Sequence, residues 1–320
     1  MKTTHFNPGK VLTMAIALLF LTAGFNASSF AQLSYRKGQH VEPAYEGWRP
    51  NDDGTISLIF GYFNENWEET PDIPVGENNY FSPGEMDRGQ PTHFLPRRNR
   101  FTFEITVPGD FGGDDEVVWT LTSPNGVTKK AYATLMTDYR VDNIIIASET
   151  GSLGAGTSSP ESRSNVPPTT EIIGDLVRTV RVGEPLMVQT RVTDDGIPKP
   201  GRVGSRGVFS PEDQEAWVEG IMRRPRRTTV GKVNGLFLSW NKFRGPGEVI
   251  FDPPQVKAWE DTRASANSPW GYLWTPPEIP EDGIHDVEIT FSEPGEYLLW
   301  GRADDGGLYT DQYLEVTVLP

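Results

Sequence analysis

Apolar and polar residues alternate with a period of two along several short stretches in the second half of the chain. The clearest stretches run over residues 236–240, 287–291 and 314–318, where every second side chain is apolar. Segments rich in Gly, Pro and Asp separate them, for example Arg244–Gly247 and Ser292–Gly295. This alternation predicts antiparallel strands with one buried face, and turns of this composition are typical of a β-sandwich.

The first half of the chain shows the same pattern. Apolar residues alternate over residues 56–62, 101–107 and 117–121, and Ser123–Gly126 is a hairpin signal before a further strand-like run. Each half is long enough to form its own core. The sequence therefore predicts an all-β protein made of two β-sandwich domains of the immunoglobulin-like type.

A stretch without hydrophobic periodicity separates the two halves. Residues 149–170 are rich in Gly, Ser and Pro, a composition that predicts a flexible linker. The expected first domain then spans residues 32–148. The expected second domain spans 171–320 and carries two long insertions, at 197–235 and 255–283.

The N-terminus has the order of segments found in a secretory signal peptide. Lys2 and Lys10 precede the apolar run Val11–Gly24, and small residues follow up to Ala31, after which we expect cleavage. The run is short for a membrane span, and a retained N-terminal anchor is the alternative. The chain has no Cys, which excludes a lipid-anchored lipoprotein and disulfide bonds. We therefore expect a secreted or periplasmic bacterial protein.

The charge of the chain restricts its partners. The formal net charge is −15, and loss of the leader with its two lysines makes it two units more negative. A chain this acidic repels phosphate backbones, so we expect no nucleic-acid partner. We also expect no membrane span once the leader is removed.

Several sequence words in the first half carry a family resemblance. They are Asp53–Thr55, Phe60–Tyr62, Ile73–Asn79, Phe81–Gly84, Asp87–Thr92 and Val118–Leu121. Together they resemble a module of uncharacterised bacterial secreted and surface proteins, over roughly residues 45–135. The resemblance implies a β-sandwich and brings no established activity or catalytic residue.

The second half resembles a PKD-like, immunoglobulin-type domain over about residues 180–320. The words that carry this resemblance are Gly183–Leu186, Val192–Gly196, Leu238–Trp240, Gly245–Gly247, Phe291–Tyr297 and Ala303–Gly306. The resemblance implies that Trp240 is the core tryptophan of a central strand and that Tyr297 forms a tyrosine corner. Such domains are mostly binding or spacer modules.

Each insertion contains one candidate binding feature. The 255–283 insertion holds four aromatic residues that predict a contact surface for a glycan or a protein: Trp259, Trp270, Tyr272 and Trp274. The alternative is that these rings pack onto the sandwich and anchor the loop. The 197–235 insertion holds Ser210–Asp213, which predicts a helix start, and then an arginine cluster that either docks an acidic surface or is solvated: Arg223, Arg224, Arg226 and Arg227.

Candidate chemistry is sparse. The sequence has no metal-spaced His pair, nucleophile elbow, phosphate-binding loop or Cys nucleophile, so it predicts no catalytic residue and no cofactor. A structural calcium ion is the one exception, because four aspartates end predicted strands as weak candidate ligands: Asp194, Asp195, Asp304 and Asp305. The alternative is that they form ordinary Asp-Gly turns.

Three functions remain open at this point. The first is an exported, non-enzymatic binding protein that recognises a protein or glycan through the loop aromatics. The second is a secreted polysaccharide hydrolase or lyase that uses carboxylates between the domains. The third is a structural spacer or assembly subunit.

Overall fold

A computed structural model describes residues 36–149, 160–199, 232–263, 265–271 and 273–320. The predicted signal peptide, the predicted helix start at Ser210 and the arginine cluster lie outside these ranges. Tyr272 and residues 150–159 of the predicted linker also lie outside them.

The first sandwich consists of two antiparallel three-stranded sheets, with strand orders β1-β2-β4 and β3-β5-β6. Its strands are β1 (Val41–Pro50), β2 (Ile56–Asn64), β3 (Asn79–Ser82), β4 (Arg97–Val107), β5 (Val117–Thr122) and β6 (Thr128–Ala133). Trp119 is fully buried between the sheets, and its ring centroid lies 5.1 Å from that of Phe103 and 6.0 Å from that of Phe60. Alternating apolar residues on both sheets therefore close over an aromatic core.

Short helical segments follow the first sandwich. They are a 3₁₀ turn (Thr137–Tyr139), α1 (Asn143–Glu149) and α2 (Pro160–Ser164). Ile146 and Ala147 of α1 pack with Ile59 and Phe101 on the outer face of the β1-β2-β4 sheet. No helix in the described ranges has the length and hydrophobicity needed to cross a membrane.

The second sandwich has two four-stranded sheets, ordered β7-β9-β12-β11 and β8-β14-β13-β10. Its strands are β7 (Thr169–Ile172), β8 (Val177–Arg181), β9 (Leu186–Thr193), β10 (Phe237–Arg244), β11 (Val249–Asp252), β12 (Ile284–Phe291), β13 (Gly295–Asp304) and β14 (Tyr309–Leu319). All pairs are antiparallel except β8 with β14. This division of strands between two sheets is that of an immunoglobulin-type sandwich. The predicted all-β, two-sandwich fold is confirmed.

Both residues that the PKD-like resemblance implied for the core are buried, but Trp240 lies on an edge strand and not on a central one, because β10 pairs with β13 alone among the described strands. Trp240 on β10 is 1% exposed and packs between the two sheets. The Tyr297 hydroxyl at the start of β13 donates a 2.8 Å hydrogen bond to the Glu293 carbonyl, as in a tyrosine corner. Gly245 makes room for this ring, because a Cβ at that position would lie 2.3 Å from it.

Replacement of Tyr297 by Phe should lower the free energy of unfolding by about 1 kcal/mol, since the Glu293 carbonyl loses its donor while the ring packing stays. Chemical denaturation measures this difference. Tyr132→Phe is the matched control, because Tyr132 is 54% exposed, and it should leave stability unchanged. Equal stability of the two variants would contradict a stabilising tyrosine corner.

The two sandwiches are packed against each other. The β8-β14-β13-β10 sheet buries one face in its own core and turns the other face to the first sandwich. Phe243, Ala258 and Trp300 join the apolar cluster of the first sandwich, and Leu308 packs with Ile59 and Phe101. The prediction of a flexible linker therefore applies only to the connecting segment. Direct contacts between the sandwiches fix their relative position.

Candidate ligand-binding site between the sandwiches

Arg302 is the central polar residue of the contact between the sandwiches. This β13 residue is 5% exposed and forms a two-pronged ion pair with Asp311 on β14, with both N–O distances 2.8 Å. Its guanidinium also donates to the backbone carbonyls of Arg100 and Phe101 on β4. Burial disfavours its charge, but the Asp311 carboxylate outweighs burial and raises the pKa of Arg302 above its usual value. A permanent charge thus holds β4 against β13.

Further polar contacts fix the relative position of the sandwiches. Arg244 on β10 pairs with Asp87 through two hydrogen bonds of 2.7 and 2.9 Å. The Lys242 ammonium donates to Asp72 at 3.1 Å, and the backbone N–H of His93 donates to the Phe243 carbonyl at 3.1 Å. Two-pronged pairs of this kind restrict orientation as well as distance.

A cavity of about 600 Å³ opens beside Arg302, between β4 of the first sandwich and β13 and β14 of the second. Most of its wall is apolar or aromatic. Its apolar and aromatic residues are Phe101, Phe103, Pro167, Phe243, Leu298, Tyr309 and Tyr313, and its charged residues are Arg49, Glu104 and Asp311. We call this space the inter-sandwich cavity.

The lining of the inter-sandwich cavity offers both ring faces and polar groups. Tyr313 is 37% exposed, and burial raises the pKa of Tyr309 and of Tyr313, which keeps both hydroxyls protonated as donors. Arg49 and Glu104 form an ion pair of 2.6 Å in the wall. A concave, mostly apolar space with a few convergent polar groups is the usual form of a ligand-binding site.

The cavity provides two carboxylates, one from each sandwich, but both are engaged. Glu104 is bonded to Arg49 and Asp311 to Arg302. Neither can protonate a glycosidic oxygen without giving up an arginine. Asp305 has a strongly perturbed carboxyl, because burial and then the charge of Asp304 raise its pKa to about 7, but it does not line the cavity.

The loop aromatics occupy packing positions. Trp270 is 8% exposed and Trp274 is 6% exposed, and the Trp274 ring packs edge-on against Phe237 at 5.8 Å. The Lys232 ammonium lies 5.3 Å from the centre of the Trp270 ring, and Trp259 packs partly buried against the first core. This burial matches the loop-anchoring alternative, and the exposed faces that a contact surface needs are absent at Trp270 and Trp274. The binding prediction for Tyr272 and the arginine cluster falls outside the described residues.

The aspartates named as weak calcium ligands are held in turns. Both oxygens of Asp304 accept from the buried Lys232 ammonium, so this carboxylate already has its cation. Asp194 accepts the Gly196 N–H at 2.9 Å, and Asp195 accepts the Ile197 N–H at 2.8 Å. Asp305 accepts the Leu308 N–H within its own turn. Within the described residues, the three side chains close enough to share a metal ion are others: His40, Glu42 and Glu65.

Sequence reasoning missed the residues that form the inter-sandwich cavity. Phe101 on β4 and Tyr309 on β14 are about two hundred positions apart in the chain, and their rings stack at 6.4 Å. One signal was present, because Arg302 interrupts the apolar run from Tyr297 to Ala303. A charged residue in such a strand needs a buried partner, and Asp311 is that partner.

No protein-family model and no curated protein matches this chain. Among solved structures it is similar to a chimeric titin Z1Z2 functionalised with a KLER exogenous peptide from decorin, at 13% identity over 87% of this chain and 91% of that one, with a TM-score of 0.22. It is also similar to fibronectin(III)-like modules of Clostridium thermocellum CbhA, at 8% identity over 82% and 85%, with a TM-score of 0.21. It is similar as well to the D00-D0 domain of Intimin, at 7% identity over 87% of this chain and 100% of that one, with a TM-score of 0.23.

TM-scores this low carry no argument about this chain. The immunoglobulin-type class of the second sandwich rests on its strand pairing and on its tyrosine corner. The resemblance of the first sandwich to secreted bacterial modules stays a prediction.

Proposed function

We propose that this chain is an exported, non-enzymatic binding protein of the bacterial envelope or extracellular space, and that its ligand, a protein segment or a glycan, enters the inter-sandwich cavity. The observation that supports this function is the cavity itself, with its ring faces and charged groups held by the Arg302 contacts. Because the sandwiches are already packed together, little ordering would be needed on binding. The leader-like N-terminus supports export, and an exported chain without Cys fits a bacterial protein.

The test uses arrays of glycans and of displayed peptides probed with the purified protein. Tyr313→Ala should weaken capture at least tenfold, because it removes the most exposed ring of the cavity. Tyr132→Ala on β6 is the matched control and should bind as wild type does, since that exposed residue does not line the cavity. Thermal unfolding checks that both variants fold.

The result can contradict the proposal in two ways. Unchanged capture by Tyr313→Ala would place recognition elsewhere. Absence of capture by the wild-type protein on every array would favour the third function, a spacer or assembly subunit.

A polysaccharide hydrolase or lyase is the second candidate, since Glu104 and Asp311 line the cavity from opposite sandwiches. New reducing ends or unsaturated products on incubation with envelope and extracellular polysaccharides, lost in Glu104→Gln, would favour it. We expect neither product, because both carboxylates are bonded to arginines.

A further inference from the structure

Part of the free edge of β4 is uncovered. β4 pairs with β2 on one side only. On its other side the second sandwich covers the start of the strand. There the Glu260 N–H donates to the Arg98 carbonyl at 3.3 Å, and Arg302 donates to the carbonyls of Arg100 and Phe101. No strand in the described part of the chain pairs with the edge over Phe103–Val107. This bare edge is about 16 Å long at 3.3 Å per residue.

Two concave spaces flank the bare edge and share Glu104. One is the inter-sandwich cavity, at the Phe101 end. The other is a groove of about 900 Å³ between β4 and the loops that follow β3 and precede β5. A peptide lying along the edge would therefore contact both spaces.

The groove is strongly acidic. Seven carboxylates and one arginine line it. Two of the carboxylates are neutralised by arginines, Asp87 by Arg244 and Glu104 by Arg49. The other five have no ion pair among the described residues: Glu85, Asp110, Asp114, Asp115 and Glu116. The charge that fits this groove is positive.

We propose that the β4 edge over Phe103–Val107 takes up an extended basic segment of a partner protein as an additional antiparallel strand. Unpaired N–H and C=O groups of an edge strand supply main-chain hydrogen bonds to such a peptide, and flanking pockets select its side chains. Alternate lysine or arginine side chains meet the acidic groove. Because β4 runs from the cavity toward the groove, an apolar residue near the C-terminal end of the peptide enters the inter-sandwich cavity. The inference rests on the proposed function in that both use this cavity.

The probe is a fluorescein-labelled peptide, Lys-Val-Lys-Val-Lys-Val-Trp, titrated with the purified protein in a fluorescence anisotropy experiment. Two further peptides carry N-methyl groups on alternate backbone amides. In one the odd-numbered residues are methylated, and in the other the even-numbered residues. One of them should bind at least tenfold more weakly, because it loses the N–H groups that face β4. Equal binding of all three peptides would overturn the proposal, since charge alone would then explain the affinity.

Charge-reversal variants test the groove. Asp114→Lys with Glu116→Lys should weaken binding at least tenfold. Glu278→Lys with Glu281→Lys makes the same change in net charge at exposed residues outside the groove, and it should stay within twofold of wild type. Equal losses in both double variants would overturn the proposal, because they would reflect net charge.

Amide hydrogen exchange locates the bound peptide. Exchange over Phe103–Val107 should slow at least tenfold in the complex, and unchanged exchange there would overturn the proposal. If the peptide fails to bind while glycan capture still depends on Tyr313, this inference fails and the proposed function stands. If no ligand depends on Tyr313, the proposed function itself fails.

Discussion

Asp305→Asn is expected to stabilise the protein at pH 8 and to remove part of the fall in stability between about pH 4 and pH 7. Asp305 is 1% exposed, and its Oδ1 accepts the Leu308 N–H at 2.7 Å. Its Oδ2 has no hydrogen-bond partner, and the neighbouring Asn165 amide lowers the pKa of this carboxyl only in part. The substitution keeps an acceptor for the turn and removes the buried charge.

The expected gain in stability at pH 8 follows from the pKa of Asp305. Burial and then the Asp304 charge raise this pKa from 3.8 to about 7. Below about pH 4 the carboxyl is protonated in both the folded and the unfolded chain. Between about pH 4 and pH 7 the folded chain keeps the proton that the unfolded chain has lost, so stability falls as pH rises. Above about pH 7 the full cost of the buried carboxylate charge is present, on the order of 4 kcal/mol.

Urea unfolding of wild type and Asp305→Asn at several pH values between 4 and 8 measures this difference. Asp175→Asn, at an exposed turn, is the control for net charge and should follow wild type at every pH. A loss of stability in Asp305→Asn at pH 8 would contradict the prediction. It would show that the ionised carboxylate has a favourable partner, such as the calcium ion considered from the sequence.

Arg302→Met is expected to destabilise the protein by about 3–5 kcal/mol. The substitution leaves the Asp311 carboxylate without its guanidinium partner and removes the donor to the carbonyls of Arg100 and Phe101. Because these bonds join the two sandwiches, we also expect unfolding to lose cooperativity and to separate into two transitions.

Two comparison variants make this result specific. Arg191→Met removes an exposed ion pair with Glu171 and should change stability by less than about 1 kcal/mol. The double variant Arg302→Met with Asp311→Leu should recover part of the lost stability, because it leaves no buried carboxylate without a partner. Equal stability of Arg302→Met and Arg191→Met would mean that the contact between the sandwiches is not held by Arg302.

Much of the fold could be predicted because its signals are local. The alternation at residues 236–240 and 287–291 became β10 and β12, and the turn words around Tyr297 became a tyrosine corner. The four loop aromatics show where local signals stop. An aromatic residue in an insertion has the same sequence signature whether its ring is exposed or buried, and only packing against Phe237 and Lys232 placed Trp274 and Trp270 inside.

The sequence by itself determined the all-β class, the division into two sandwiches and the core positions of Trp240 and Tyr297, because strand period and turn chemistry are encoded in neighbouring residues. Only the tertiary structure decided that the second sandwich packs on the first through Arg302, that a cavity opens beside it and that the β4 edge over Phe103–Val107 stays unpaired. Those features join side chains about two hundred positions apart, and neither strand records its partner across the interface. The physical reason is that the residue type shows only that an apolar side chain must be buried and that a buried charge must be paired. It does not show which distant residue provides the contact.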